Sequence, residues 1–453
     1  MKLKIIIHCT LAIVAIILSA TLQAAYATDV FRFEGYGPVS RGMGGAATAF
    51  DVGAAGMMSN PATISLMSAG SEIHVGLDLI LADISAKNTT TGEKASSDSH
   101  SNNRGPYAAP EAAFVYRAAP LTLGIGAFAQ GGLGTEYGNT SFLSRASGNL
   151  NTGLDNSSRL LVLNIPFAVS YDVNEKLTIG ATIDAMWEGL NLGLLMPAEQ
   201  VGALIQGGHV SGSLLPVLGG LPDLRGAHFS MTKNQPLASG IDAWGFGARI
   251  GAIYKLSKET ILGAAYSMES QMADMEGNAT LTAVDGTAGQ IPLKGNIKLR
   301  GLQMPAHLDI GVSHQINEHW LVVADISRVF WKNAVKDLNI SFVADDGKNI
   351  NIQLPQNYKD QMIYSLGVAY KTGPWTLRSG VRIADQAMRT DTVIAVIPAI
   401  PAKHASAGFS YDFSAANKVD FAYSHAFEES MDNANTQLVH SQNNFNMAYV
   451  HRF

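Results

Sequence analysis

Residues 243–256 read AWGFGARIGAIYKL, and this stretch decides the fold class. Its even-numbered positions carry large apolar side chains such as Trp244 and Phe246, whereas its odd-numbered positions carry mostly glycine, with Arg249 and Lys255. Alternation with a period of two indicates a strand with one face toward an apolar medium and the other toward a polar or crowded one. About ten residues of such alternation are typical of a strand that spans an outer membrane.

The same alternation recurs in WTLRSGVRI, KVDFAYSHAF and NFNMAYVHRF, at residues 375–383, 418–427 and 444–453. In the first of these, Arg378 and Arg382 lie on the face opposite Trp375, so we expect both to point into the lumen. The last strand ends at Phe453. A terminal aromatic residue on an amphipathic last strand suits recognition by the outer-membrane barrel-insertion machinery, which we expect as a partner.

The N-terminus predicts export. MKLK is followed by an apolar run and by AAYA, which is the pattern of a secretory signal peptide cleaved after Ala27, and a single membrane anchor is the alternative. The only cysteine, Cys9, lies in this signal, so the mature chain has no disulfide, no cysteine-based zinc site and no cysteine nucleophile. We expect no metal, no cofactor and no catalytic residue.

Composition narrows the class further. Only 15% of residues are charged, against about 25% in soluble domains. There are 45 glycines, the net charge is −6, and no basic stripe points to nucleic acid. After the signal no apolar window of 18 residues predicts a spanning helix. Two classes remain, an outer-membrane β-barrel and a large soluble all-β protein.

The lengths of the connections favour the barrel. Short turns fall at 117–120, 172–176, 256–259, 316–319, 372–375 and 414–418. Long polar or glycine-rich segments fall around 86–104, 132–157, 191–238, 277–293, 346–355, 390–398 and 429–440. Six turns and seven long segments predict 14 antiparallel strands, an even number with short turns at one end, as in outer-membrane barrels. A soluble sandwich has no reason to sort its loops in this way.

We therefore predict an all-β, 14-stranded transmembrane barrel over residues 70–453, preceded by a segment at 28–69. The predicted strands are 70–85, 105–117, 120–131, 158–172, 175–190, 240–256, 259–276, 294–315, 318–345, 356–371, 374–389, 399–413, 416–428 and 441–453.

One predicted loop, 191–238, is more apolar than an outer loop needs to be. It contains Leu194, Leu195 and Met196, and residues 199–206 favour a short helix that presents Val201, Leu204 and Ile205. Because exposed apolar patches tend to bind something, these residues are candidates for a site that captures an apolar ligand. The alternative is a loop that packs on itself.

The segment before the barrel is unusual. Residues 41–62 read RGMGGAATAFDVGAAGMMSNPA, in which eleven of 22 residues are glycine or alanine. Residues 35–67 resemble the N-terminal hatch of the FadL family, outer-membrane transporters of long-chain fatty acids and related hydrophobic compounds. The shared features are a glycine-rich start, an A-x-A-x-D-like middle and an Asn-Pro-Ala end, here Gly42, Gly44, Gly45, Asp51, Asn60, Pro61 and Ala62. Residues 244–266, 299–331 and 358–383 resemble later hairpins of the same family.

The resemblance implies a fold and a mechanism. The hatch would plug the lumen of the barrel, and a kinked third strand would open a lateral gap through which ligand leaves into the outer membrane. The matching positions for that kink are Gly131, Gly132 and Gly134, since successive glycines weaken a strand and permit a bulge. Phe31 and Phe33 are candidates to line the pocket. The expected partners are a hydrophobic ligand, outer-membrane lipid and lipopolysaccharide, and the expected state is a monomer.

The ligand class departs from the fatty-acid pattern. Fatty-acid members are expected to offer basic side chains after the fifth strand and before the tenth, but residues 191–197 are uncharged and the second position falls near Leu354, between Lys348 and Lys359. An anionic head in a low-dielectric pocket needs a charged partner. We therefore predict neutral ligands such as aromatic hydrocarbons, unless Arg378 or Arg382 binds a carboxylate.

Two other functions are less well supported. A barrel enzyme would need a catalytic group at the rim, but Ser313 and His314, like Ser424 and His425, are neighbours in a strand and point to opposite faces. A general aqueous porin would be blocked by the hatch. We expect neither.

Overall fold

A computed structural model describes residues 30–97, 106–231 and 240–453. The predicted signal peptide lies outside these residues. The strands are β1 Gly70–Asn88, β2 Lys94–Ser97, β3 Tyr107–Ala118, β4 Leu121–Gly138, β5 Arg145–Ala146, β6 Leu150–Asn151, β7 Asn156–Asp172, β8 Leu177–Pro197, β9 Val210–Ser211, β10 Leu224–Met231, β11 Ile241–Lys255, β12 Thr260–Ser267, β13 Gln271–Met272, β14 Met275–Asp285, β15 Gly289–Arg300, β16 His307–Gln315, β17 Trp320–Val329, β18 Asp337–Ala344, β19 Asn349–Pro355, β20 Gln361–Thr372, β21 Trp375–Ala384, β22 Lys403–Asp412, β23 Asn417–Asn433 and β24 Thr436–Arg452. The α-helices are α1 Gly37–Gly42, α2 Ala198–Gln206, α3 Leu214–Gly219 and α4 Trp331–Ala334, and 3₁₀ turns cover Gly53–Met58, Pro61–Leu66, Phe142–Ser144 and Ser147–Asn149.

Antiparallel pairing closes the sheet into a barrel. Going round the wall, β1 pairs with β3, β3 with β4, β4 with β7, β7 with β8, β8 with β11, β11 with β12, β12 with β16, β16 with β17 and β17 with β20. Strands β20 to β24 then follow in chain order, and β24 pairs with β1 along its length. Because the last strand returns to the first, the wall of the barrel has no free edge.

The alternation predicted for the wall is confirmed. In β11 the side chains of Trp244 and Phe246 are 58% and 56% exposed, whereas that of Arg249, on the other face, is 3% exposed. In β21 the outward residues Leu377 and Val381 are exposed in the same way. The outer face is thus apolar and the inner face is polar or small. In the described part of the chain, no helix combines the length and the apolar character needed to cross a membrane.

The six predicted short turns are all confirmed, but several predicted long segments are wrong. Residues 429–440 were expected as a loop, whereas β23 and β24 continue through them and pair as far as Asn433 and Thr436. The segments 277–293 and 346–355 are also largely strand, as the β14–β15 and β18–β19 hairpins. Polar residues at the tips of long strands look like loop residues in the sequence, because nothing apolar marks the strand there.

Three predicted strands are each broken in the structure. The range 259–276 is interrupted after Ser267, the range 294–315 is interrupted between β15 and β16, and the range 318–345 is interrupted by α4. The segments at the first two breaks are hydrogen-bonded to each other. The backbone N–H of Ser270 donates to the Met304 carbonyl at 2.9 Å, and the Met304 N–H donates to Ser270 Oγ at 2.8 Å. Pro305 lacks a backbone donor, which disfavours continued sheet pairing at that point.

These breaks create additional strands beyond the 14 predicted, and 22 strands in all join one sheet. From the end of β8, pairing continues through β10, β14, β15, β18, β19 and β9. We call these six strands the outer sheet, because they lie at the end of the barrel opposite the tight turns. The described part of the predicted loop, 191–231, is therefore mostly structured, as the end of β8, α2, α3 and β10, and residues 232–238 lie outside the described residues. The buried side chains of Leu281, Phe342 and Ile350 line an apolar interior that is continuous with the lumen.

Residues 385–402, between β21 and β22, contain no strand or helix but pack inward. The long connection predicted around 390–398 is confirmed, but its predicted polar character is wrong, since Val393, Val396 and Ile397 are buried in the main apolar cluster. Backbone carbonyls of this segment are bonded to the wall, for example that of Ala395, which accepts from Tyr137 Oη at 3.1 Å. Hydrogen bonds from Thr135 of β4 and Ser158 of β7 to the Val396 carbonyl also hold the segment against the wall.

Candidate transport site

Residues 30–69, which we call the N-terminal segment, are held by side chains from strands on several sides of the barrel. The carboxylate of Asp325 in β17 accepts from the backbone N–H groups of Ala47 and Thr48 at 2.8 and 3.0 Å, and from Thr48 Oγ1 at 2.7 Å. Ser313 Oγ in β16 donates to the Ala49 carbonyl at 2.7 Å. The segment has few side chains to pair, so polar residues of the wall satisfy its backbone instead.

An ion-pair network holds the first part of the segment. Arg41 is 1% exposed and its guanidinium lies 2.8 Å from Glu34 and 2.5 Å from Asp78 of β1. Glu34 also accepts from Ser424 Oγ at 2.5 Å and from Asn444 Nδ2 at 2.8 Å. Burial opposes the ionisation of Glu34, but the Arg41 guanidinium and the other donors lower the pKa of its carboxyl to about 2. The pair stays charged at neutral pH and ties the segment to β1, β23 and β24.

Two of the predicted hatch glycines occupy positions that only glycine fits. Gly44 and Gly45 have φ values of +69° and +82°, in the left-handed region. A Cβ on Gly44 would lie 2.6 Å from the Val381 carbonyl oxygen, and one on Gly45 would lie 1.8 Å from the Glu34 carbonyl oxygen. The third, Gly42, faces Arg378, with 3.4 Å between an added Cβ and the Arg378 Cβ. The glycine-rich start therefore permits close contact with the wall.

The Asn-Pro-Ala end forms a cap. Asn60 Oδ1 accepts from the Ala62 N–H at 3.1 Å at the start of the 3₁₀ turn that begins with Pro61, while Asn60 Nδ2 donates to the carbonyls of Thr48 at 2.7 Å and Ala252 at 3.1 Å. One amide thus joins two parts of the segment to β11. Asp51 differs from the others, since it is exposed and accepts from the nearby Gly53 N–H at 2.8 Å.

The predicted kink at Gly131, Gly132 and Gly134 coincides with a β-bulge. The register between β4 and β7 shifts between Ala129 and Gly131, which leaves Gln130 as the additional residue. Beyond Phe128, β4 no longer pairs with β3. The N-terminal segment pairs there instead, with an Arg32–Gly131 bridge and a 2.8 Å bond from the Gly132 N–H to the Phe31 carbonyl.

A cavity of about 90 Å³, which we call the main cavity, lies beside this bulge. A single water needs only about 10–15 Å³ measured in the same way. The lining is mostly apolar and comes from β1, β3, β4, β7, β22, β24, the N-terminal segment and Pro398 and Ala399 of the inward-packed segment. It includes Leu160, whose side chain faces inward, and Leu161, which faces outward. The lining therefore includes residues from both faces of the wall.

The polar residues of the main cavity were missed by the sequence reasoning. They include Arg32, Glu34, Arg159, His404 and His440. Each is a lone polar residue, and strand alternation shows only that such a side chain faces inward or outward. No group of three or more His, Cys, Asp or Glu residues that could hold a metal ion occurs in residues 30–97, 106–231 and 240–453.

The two arginines predicted to face the lumen do so, but they are engaged elsewhere. Arg378 donates to Ser410 Oγ at 2.6 Å. Arg382 donates to Ser365 Oγ at 2.9 Å and lines a second, polar cavity of about 30 Å³ with Arg32 and Asp309. Arg382, and not Arg378, therefore lies next to the main cavity.

The predicted aromatic residues take different places. Phe33 lines the main cavity. Phe31 is buried against Trp331 and Tyr358, with ring centroids 5.6 and 6.2 Å apart. An aromatic cluster therefore lies next to the main cavity, and its Trp331 comes from the helix that interrupts a predicted strand.

The candidates from 191–238 lie at the end of β8 and in α2, next to the outer sheet. The predicted helix is confirmed as α2, and Val201 and Leu204 pack toward the apolar interior, whereas Ile205 is 37% exposed. The remaining candidates are buried or partly buried in the apolar clusters: Leu194, Leu195, Met196 and, from β19, Leu354. The structure thus brings most of these residues to the inside of the outer sheet, with Ile205 on its outer surface.

Comparison with known proteins identifies the family. The model of the family described as outer membrane protein transport protein (OMPP1/FadL/TodX) matches residues 15–450. The chain belongs to this family. FadL/TodX members are outer-membrane transporters of hydrophobic compounds, and the protein is accordingly an outer-membrane β-barrel.

Individual FadL/TodX relatives cover nearly the whole chain. The toluene transporter TodX of Pseudomonas putida is 38% identical, with a TM-score of 0.84, over 94% of this chain and 100% of its own. The toluene transporter TbuX of Ralstonia pickettii is 43% identical, with a TM-score of 0.81, over 93% of this chain and 99% of its own. The long-chain fatty acid transport protein of Escherichia coli O6:H1 is 24% identical over 91% of this chain and 89% of its own.

Proposed function

We propose that the protein mediates passive uptake of small neutral apolar molecules, of which monoaromatic hydrocarbons such as toluene are the type. The observation that carries this proposal is the main cavity, whose lining is mostly apolar and whose acid, Glu34, is already paired with Arg41. The sequence identity of 38% and 43% to two toluene transporters supports the same ligand class. Transfer of the ligand from water is favourable by about 0.8 kcal/mol per buried CH₂ group, so no energy source is needed for binding.

We infer that the N-terminal segment is a hatch that plugs a wall of 14 membrane-spanning strands. The bonds from Asp325, Ser313 and Asn444 cross the lumen from different strands, and a segment held in this way blocks an open aqueous pore. The outer sheet would capture the ligand and the inward-packed segment 385–402 would cover the main cavity. In this proposal the protein inserts as a monomer through the barrel-insertion machinery and contacts lipid and lipopolysaccharide.

The bulge in β4 supports a lateral exit. Pairing between β3 and β4 ends at Glu111 and Phe128, and the main cavity is lined by both strands beyond that point. The outward-facing residues Arg159 and Leu161 also line it. An apolar molecule in the main cavity therefore has a short path to the lipid that avoids water.

Binding of toluene and oleate to the purified protein tests the ligand class. We expect saturable toluene binding and weak oleate binding. The variant Arg382→Ala should leave toluene binding unchanged, with Arg328→Ala, at an exposed site, as the matched control. Tight oleate binding that is lost in Arg382→Ala or Arg32→Ala would instead show that the site is built for carboxylates.

A further inference from the structure

A buried histidine in the main cavity has one ring nitrogen that makes no hydrogen bond within the described residues. His440 lies in β24, is 7% exposed and lines the main cavity beside Pro398. Its Nδ1 lies 2.7 Å from the Pro398 carbonyl oxygen. A carbonyl oxygen only accepts hydrogen bonds, so Nδ1 carries the proton and donates.

This bond fixes the tautomer of the ring. In a neutral imidazole with a proton on Nδ1, the other nitrogen, Nε2, is an acceptor. Burial disfavours the doubly protonated, charged form of the ring. His440 therefore presents a hydrogen-bond acceptor, and not a donor, on the side away from Pro398.

That acceptor is unused within the part of the chain that the structure describes. His440 Nε2 is buried and makes no hydrogen bond there. The side chain of Gln442 interacts with the His440 ring and also lines the main cavity, but its amide nitrogen donates to Asn444 Oδ1 at 2.8 Å and makes no hydrogen bond to Nε2. Buried polar atoms normally have a partner, and leaving one without a partner is unfavourable. A ligand that donates a hydrogen bond would remove this cost.

We propose that the main cavity binds apolar molecules that carry one neutral hydroxyl group, namely phenols with small alkyl substituents, and that His440 Nε2 accepts the hydrogen bond from that hydroxyl. This inference rests on the proposed transport of neutral apolar molecules and narrows its ligand class. A phenol fits the two properties of the site, since its ring suits the apolar lining and its hydroxyl supplies the missing donor. With a pKa near 10, as for the tyrosine hydroxyl, it is uncharged at neutral pH.

Other head groups fit less well. A carboxylate is acceptor-only and would place a second acceptor against Nε2. An ammonium group would donate, but it would carry an unpaired charge into an apolar cavity. A plain hydrocarbon such as toluene fits the lining but leaves Nε2 without a partner. His440 is thus a residue that determines specificity within the proposed ligand class.

The experiment compares toluene with 4-methylphenol, which differs by a single hydroxyl group. Dissociation constants for both are measured with the purified full-length protein in detergent, for the wild type, His440→Leu and His440→Gln. We expect His440→Leu to raise the dissociation constant for 4-methylphenol, relative to that for toluene, by about three- to tenfold, the range expected for one neutral hydrogen bond. His440→Gln keeps an acceptor oxygen and should restore much of the preference. His319→Leu, in an exposed turn, is the matched control.

A second measurement does not depend on the folding of the variants. In protein labelled with ¹⁵N-histidine, the Nε2 resonance of His440 should shift on addition of 4-methylphenol and stay in place with toluene. Two results would overturn the assignment and leave the proposed transport of neutral molecules intact. One is toluene binding with the same ratio of dissociation constants for toluene and 4-methylphenol in His440→Leu as in the wild type. The other is an Nε2 resonance that does not shift on addition of 4-methylphenol. If neither compound binds, the proposed function itself fails.

Discussion

Asp325 provides the sharpest test of how the N-terminal segment is held. Its carboxylate accepts three hydrogen bonds from Ala47 and Thr48, two of them from backbone N–H groups. In Asp325→Ala both N–H groups lose their acceptor inside a buried site, where Ala47 is 2% and Thr48 is 3% exposed. Each buried N–H group left without an acceptor destabilises the folded state by about 1–3 kcal/mol. The seated position of the segment should therefore be destabilised by about 2–6 kcal/mol, while the wall keeps its own hydrogen bonds.

Hydrogen exchange of backbone amides measures this effect directly. At the lower bound of about 2 kcal/mol, the opening equilibrium and hence the exchange of the Ala47 and Thr48 amides should rise by about thirtyfold. Ser313→Ala is the graded control, because it removes one bond of 2.7 Å to the Ala49 carbonyl and should raise exchange by about fivefold. Exchange at Ala47 and Thr48 that is the same in Asp325→Ala as in the wild type would refute this account of the segment.

Three further predictions address the bulge, the plug and the lumen. Deletion of Gln130, the additional residue of the β4 bulge, should restore regular pairing with β7 and lower toluene uptake by whole cells, and uptake that is unchanged would argue against exit at this point. Deletion of residues 50–59 should leave an inserted barrel that conducts ions in planar bilayers, whereas failure of the barrel to assemble would make the segment part of the structural core. Glu188 is 1% exposed, and neither of its carboxyl oxygens makes a hydrogen bond within the described residues. Because a buried carboxyl group without a partner is destabilising, Glu188→Met should raise the thermal unfolding temperature in detergent. A lower unfolding temperature would reveal a role that the contacts do not show.

The sequence was sufficient for the wall because a barrel strand has a simple physical requirement. One face meets lipid and the other meets the lumen, so residues such as Trp244 and Arg249 must alternate. The tight turns between such strands are equally predictable from the sequence. The outer sheet was missed because its strands are short and their polar tips resemble loops. The inward packing of segment 385–402 was not predicted because the segment is apolar without periodicity, and its apolar composition is explained by burial in the main apolar cluster.

The candidate site was predictable to a smaller extent. The left-handed positions of Gly44 and Gly45 and the cap at Asn60 were marked by residue types with a specific conformational use. By contrast, the role of His440 depends on a carbonyl 42 residues away in the chain, at Pro398. A single histidine in an alternating strand carries no sign of such a partner. Contacts between distant segments set the chemistry of this site, and no local pattern encodes them.

The hydrogen bonds of the N-terminal segment also constrain the order of assembly. Ala47 and its acceptor Asp325 are 278 residues apart, and Glu34 and its donor Asn444 are 410 residues apart. Loop-closure entropy makes such distant contacts slow to form. The N-terminal segment is therefore among the last parts of the chain to find its partners, since β17, β23 and β24 must be in place first. A mutation that slows closure of the wall would delay these contacts and expose an apolar, glycine-rich peptide to periplasmic proteases, even if the mutated residue never contacts the segment.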